Sequence, residues 1–113
     1  MVRPTFQEFT ALARDYTVVP VARRLASDLL TPLGVYQRLR GRFPYSFLLE
    51  SVPAPNEAGR YSFIGADASA VLTALDYQRT RVVDEQGGRI LKKPFFEVER
   101  DYLARYRAPA MPD

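Results

Sequence analysis

Near the start of the chain Phe6, Phe9, Leu12 and Ala13 recur at helical spacing and share one face. Thr5-Phe6-Gln7-Glu8 has the arrangement of a capping box, in which the threonine hydroxyl and the glutamate three residues later satisfy each other's free amides, so a short helix is predicted over about 5–14. Thr17 to Arg23 is rich in β-branched residues but contains Pro20, which confines it to an edge strand or strand-like extension. Thr31-Pro32 reads as a helix start, with threonine accepting from orphan amides and proline at the first helical position. Leu33, Tyr36 and Leu39 then share a face and Gly41 suits a left-handed stop, which predicts a second helix over about 32–40.

The period then changes. Tyr45 to Val52 is apolar on both faces for most of its length, the pattern of a central strand covered on both sides. Pro53 to Gly59 breaks it, and Arg60 to Ala66 follows as a candidate antiparallel neighbour. Ala70 to Leu75, Thr80 to Asp84 and Arg89 to Lys92 read as shorter strands, the last two joined through Gln86-Gly87-Gly88. Such a meander needs a helix over one face. Pro94 at a helix start, with Phe95, Val98, Tyr102, Leu103 and Tyr106 on one stripe, supplies it. The expected class is α+β, an antiparallel sheet with about three short helices. One domain is expected over 1–107, and the proline-rich 108–113 reads as a linker, as if the chain had been cut from something longer.

Composition narrows what such a domain can do. With 113 residues, 47% hydrophobic and 26% charged, the chain falls in the ordinary globular class, with material for one core. It has no cysteine and no histidine, which removes disulfides, the usual zinc sites and the Ser-His and Cys-His nucleophilic pairs. The net charge of +3 comes from scattered residues, with Arg38, Arg40 and Arg42 the densest group. That group reads as a solvated helix end, and no nucleic-acid-binding motif accompanies it. No stretch has the length of a membrane span or the apolar core of a signal peptide, so a soluble cytoplasmic protein is the expectation.

Glu50 is the most informative single residue. A carboxylate near the end of an apolar strand is costly unless it reaches solvent, pairs with Arg60 across the hairpin, or meets a ligand. Ser51 beside it offers a hydroxyl that can donate and accept, or simply cap the turn. Asp84-Glu85 and Glu97-Glu99-Asp101 read as solvated surface, and Gly87-Gly88 joins two strands instead of opening a phosphate-binding helix. No catalytic constellation stands out.

Three runs, in order and spacing, resemble the N-terminal region of anthranilate synthase component I: Thr31-Pro32-Leu33-Gly34-Val35-Tyr36, Pro44 to Val52, and Gly59-Arg60-Tyr61-Ser62-Phe63-Ile64-Gly65. The likeness extends from about Phe6 through Val19-Pro20-Val21 to Tyr102-Leu103-Ala104-Arg105-Tyr106. In that family Leu-Leu-Glu-Ser is the tryptophan-feedback motif, carried here by Leu48-Leu49-Glu50-Ser51. The resemblance implies the N-terminal subdomain of the chorismate-utilising fold, with Glu50, Ser51, Arg60 and Pro32 contributing part of an L-tryptophan effector site. It implies a parent enzyme that makes anthranilate and pyruvate from chorismate and ammonia with magnesium, the ammonia coming from a glutamine amidotransferase subunit. The chorismate and magnesium residues would belong to a C-terminal part, so this chain is expected to hold no cofactor and to be inactive alone.

Two other readings stay open on the residues. Aminodeoxychorismate synthase component I shares the architecture and a similar motif, and a free-standing protein-interaction module would use the same sheet edges and apolar faces.

Overall fold

The computed structural model describes residues 1–51, 54–55 and 61–111. Contacts divide the chain into two compact units, Met1–Ala26 with Val71–Asp113, and Ser27–Ala70. The class is α+β, with three helices and small antiparallel sheets among the described residues.

In the first unit, β1 (Val2–Arg3) pairs with β2 (Ala22–Arg23), and α1 (Phe6–Leu12) lies between them in the chain. The capping box forms as expected: Glu8 N–H donates to Thr5 Oγ1 and Thr5 N–H to Glu8 Oε1, each at 3.2 Å. The strand expected over Thr17 to Arg23 shrinks to two residues. Its earlier part is tied elsewhere, since the amides of Thr17 and Val18 both donate to the Arg107 carbonyl, at 3.0 and 3.2 Å.

The meander is β5 (Val71–Asp76), β6 (Arg79–Asp84) and β7 (Gly87–Leu91), in that spatial order. Glu85 and Gln86 form the turn, and Gly87 opens β7 with φ of 99°, a conformation that favours glycine, so the turn sits one residue earlier than the sequence predicts. Alternation along β6 buries Thr80 and Val82 beneath α3 (Phe95–Leu103), whose Val98 is 3% exposed. Leu103 and Tyr106, expected on the buried stripe, are exposed. The helix ends at Leu103, so the spacing no longer holds Tyr106 on its face.

In the second unit, α2 (Pro32–Arg40) packs on the hairpin of β3 (Ser46–Glu50) and β4 (Ser62–Ala66). Its start is as predicted, with Gly34 N–H donating to Thr31 Oγ1 at 3.0 Å and Pro32 in the first turn. Gly41 has φ of −74°, so the helix does not end in a left-handed residue. The amides of Arg42 and Phe43 both reach the Leu39 carbonyl at 3.0 Å and close the turn instead.

β3 departs from the expected central strand covered on both faces. One helix can cover one face of a two-stranded hairpin, and the burial of β3 follows that geometry: Ser46 and Leu48 are half-buried, while Phe47 and Leu49 are 50% and 59% exposed.

Candidate functional site

The register of the hairpin sets where each predicted site residue stands. Phe47 lies opposite Gly65, Leu49 opposite Phe63, and Glu50 opposite Ser62. Ser46, Leu48, Ile64 and Ala66, all half-buried, occupy the face against α2, and alternation puts Glu50 on that side at the end of the ladder from which the chain leads on to β4. Phe47, Leu49 and Phe63 occupy the outward face, with the Tyr61 and Phe63 ring centroids 6.4 Å apart.

Glu50 is exposed, so its charge is solvated and the desolvation cost expected from a buried strand does not arise. Ser51, the next residue, is also exposed, and its hydroxyl lies 3.4 Å from the Tyr61 carbonyl, a long donor contact across the hairpin. Pro32 is exposed in the first turn of α2. Only residues 41–45 join α2 to β3, and the helix packs on the strand that follows it. Arg60, and with it most of the break at Pro53 to Gly59 and the proposed Glu50–Arg60 pair, lies outside the described residues.

Chemically, this end of the hairpin offers a solvated carboxylate, which accepts from ammonium or amide donors, and a hydroxyl. Among the described residues, neither group has a base or acid partner of the kind proton transfer needs. Among the described residues no group of three or more acidic side chains is placed to hold a metal ion, and no helix is long and apolar enough to cross a membrane.

A second polar centre, in the other unit, escaped the sequence reading. Asp84, read as solvated surface, has a side chain only 5% exposed. Its carboxylate accepts from Arg89 Nη1 at 3.0 Å and Nη2 at 3.2 Å, from Tyr102 Oη at 3.0 Å and from the Gln86 amide at 3.0 Å. The Arg89 guanidinium holds its carboxyl down to about 2, against burial, while Tyr102 is pushed up to about 12 by burial first and then by Asp84. The signal available in the sequence was an aspartate opening a glycine turn with an arginine five residues on, which a tight hairpin turns back onto the carboxylate. With every donor coming from the chain itself, the centre reads as a structural clamp.

Comparison with known proteins bears on the hairpin. The chain is 38% identical over 112 residues to anthranilate synthase component 1 of Neisseria meningitidis, a match covering 94% of this chain and 22% of that protein. The same protein from Synechocystis is 40% identical over 83 residues (74% of this chain, 16% of the relative), and that from Mycolicibacterium smegmatis 44% identical over 70 (62% and 13%). The chain thus spans about a fifth or less of the curated relatives it matches. No family model and no solved structure matches it.

Proposed function

We propose that this chain, which is similar over nearly its whole length to the N-terminal region of anthranilate synthase component 1, is the feedback segment of such an enzyme and contributes part of an L-tryptophan site. The observation that carries the reading is the hairpin end, where Glu50 of the Leu-Leu-Glu-Ser run closes the ladder and Ser51 follows it, both exposed and in the same unit as Pro32. An amino acid presents an ammonium group, and a solvated carboxylate with a neighbouring hydroxyl is a suitable receiver for it. Arg60 would meet the effector's own carboxylate.

The parent enzyme would convert chorismate and ammonia to anthranilate and pyruvate with magnesium, using residues of a further part of the protein and ammonia from an amidotransferase subunit. The 113-residue chain alone is then inactive, and the outward face of Phe47, Leu49 and Phe63 is where the remaining part of component 1 would cover the hairpin.

The test is a tryptophan dose-response curve on the full-length enzyme. Ser51→Phe places a ring where the effector would sit and should abolish inhibition, and Glu50→Ala should raise the midpoint by about tenfold or more, both with catalysis largely retained. An unchanged midpoint in both variants removes the regulatory reading.

A further inference from the structure

In the unit formed by Met1–Ala26 and Val71–Asp113, a cleft of about 920 Å³ opens beside the β1–β2 ladder, within the size range of small-molecule sites. Part of its wall is apolar, formed by Pro4, which is buried, Leu12, which is half-buried, and Pro20. Arg3 and Arg24 line it as well. The ladder pairs Arg3 with Ala22, so Arg24, two residues further on, falls on the diagonal from Arg3 and two cations come to one side of a very short ladder. Like charges at that separation repel unless something lies between them.

Among the described residues the chain supplies only Glu8 to do so. Among the described residues the ion pairs join Arg79 to Asp76, Arg89 to Asp84 and Lys93 to Asp101, and none involves Arg3 or Arg24. Glu8 is the one carboxylate among the described residues that line the cleft, and it is engaged in the capping box with Thr5, whose hydrogen bonds, with a smaller attraction to Arg3, hold its carboxyl below the usual range. Among the described lining residues, one engaged carboxylate stands against two guanidinium groups, a positive balance.

We propose that this cleft binds a small organic anion, a carboxylate on an apolar body, with Arg3 and Arg24 receiving the carboxylate and Pro4 and Leu12 the body. The site is independent of the Glu50–Ser51 hairpin and of the feedback reading, because every residue it uses lies in the other unit. Its cations are exposed, so each contributes modestly and affinity rests on both halves of the ligand together.

The test titrates the ¹⁵N-labelled 113-residue chain with phenylacetate, benzyl alcohol and inorganic phosphate, reading amide shifts at Arg3, Ala22 and Arg24. Phenylacetate should give saturable shifts, and benzyl alcohol, which lacks the charge, and phosphate, which lacks the body, should each bind at least about fivefold more weakly. Arg3→Gln and Arg24→Gln should each weaken phenylacetate by about two- to fivefold, with β6 amide shifts unmoved to show that the fold is intact. Absence of saturable shifts, equal binding of either control, or affinity unmoved in both variants would overturn the assignment.

Discussion

The Tyr102 hydroxyl donates to the Asp84 carboxylate across 3.0 Å, and this contact ties the last turn of α3 to the end of β6. The other end of the helix is tied by Thr80, whose hydroxyl donates to the Lys93 carbonyl at 3.0 Å just before α3 begins. Val98 packs between the two ties, 3% exposed. With so few fully buried apolar side chains in the unit, these polar ends fix the helix on the sheet where packing alone gives little register.

The clamp should leave its mark at both extremes of pH. Asp84 titrates lower in the folded chain than its ordinary 3.8, at about 2. Its contribution to stability is therefore complete above about 4 and is lost as pH falls from there toward about 2. Tyr102 is shifted the other way, from 10.0 to about 12, so its contribution is complete below about 10 and is lost as pH rises through about 12. Urea midpoints should fall at both ends, with Asp84→Asn flattening the acid limb and Tyr102→Phe the alkaline one. An acid limb unchanged in Asp84→Asn would show that other carboxylates govern it.

Thr80→Val keeps the shape of a fully buried side chain but removes the donor to Lys93. The stranded carbonyl should cost roughly 1 to 3 kcal/mol in urea unfolding. Thr80→Ser restores the hydroxyl and should recover part of the loss. A Thr80→Val variant as stable as the parent, with Thr80→Ser the costlier change, would assign the position to packing alone.

The sequence was most legible where one residue type has one local use. Thr5 with Glu8, and Thr31 with Pro32, announce helix starts through side-chain and backbone chemistry that needs no tertiary partner, and both helices begin there. Hairpin pairing was legible too, because the strands flank obvious turns. Burial was not. Apolar residues on both faces of β3 show that both faces can be covered, whereas what covers them depends on neighbours that this strand's own sequence does not specify. Asp84 failed for the opposite reason, since adjacency to a turn suggested solvent, while Tyr102, eighteen positions away, closes over it.

Thr31→Ala tests how firmly the start of α2 holds Pro32. Loss of the hydroxyl that accepts from the Gly34 amide should cost about 1 kcal/mol. Amide exchange at Gly34 should speed up markedly while exchange in β6 stays unchanged. Protection retained at Gly34 would mean that packing against the hairpin, not the cap, fixes this turn.

The outward face of the hairpin gives the sharpest test of its register. Phe47 lies directly opposite Gly65, and a Cβ built on that glycine would fall 2.0 Å from Phe47 Cε1 and 2.3 Å from Cζ. The ring therefore lies on the glycine, filling the space where a side chain would stand. Gly65→Ala must push it away, and because Phe47 is half exposed the ring can swing outward, so the cost should be about 1 to 3 kcal/mol instead of complete unfolding. Once Phe47→Ala has emptied the space, the sign should reverse. Alanine orders a strand at lower entropic cost than glycine, so Gly65→Ala in the Phe47→Ala background should be neutral or stabilise by roughly 0.5 to 1 kcal/mol. Urea unfolding of the four proteins measures the coupling directly. Strictly additive costs would mean that the ring and the glycine do not touch, and the pairing of Phe47 with Gly65, which orients Glu50 and Ser51 at the end of the same strand, would have to be redrawn.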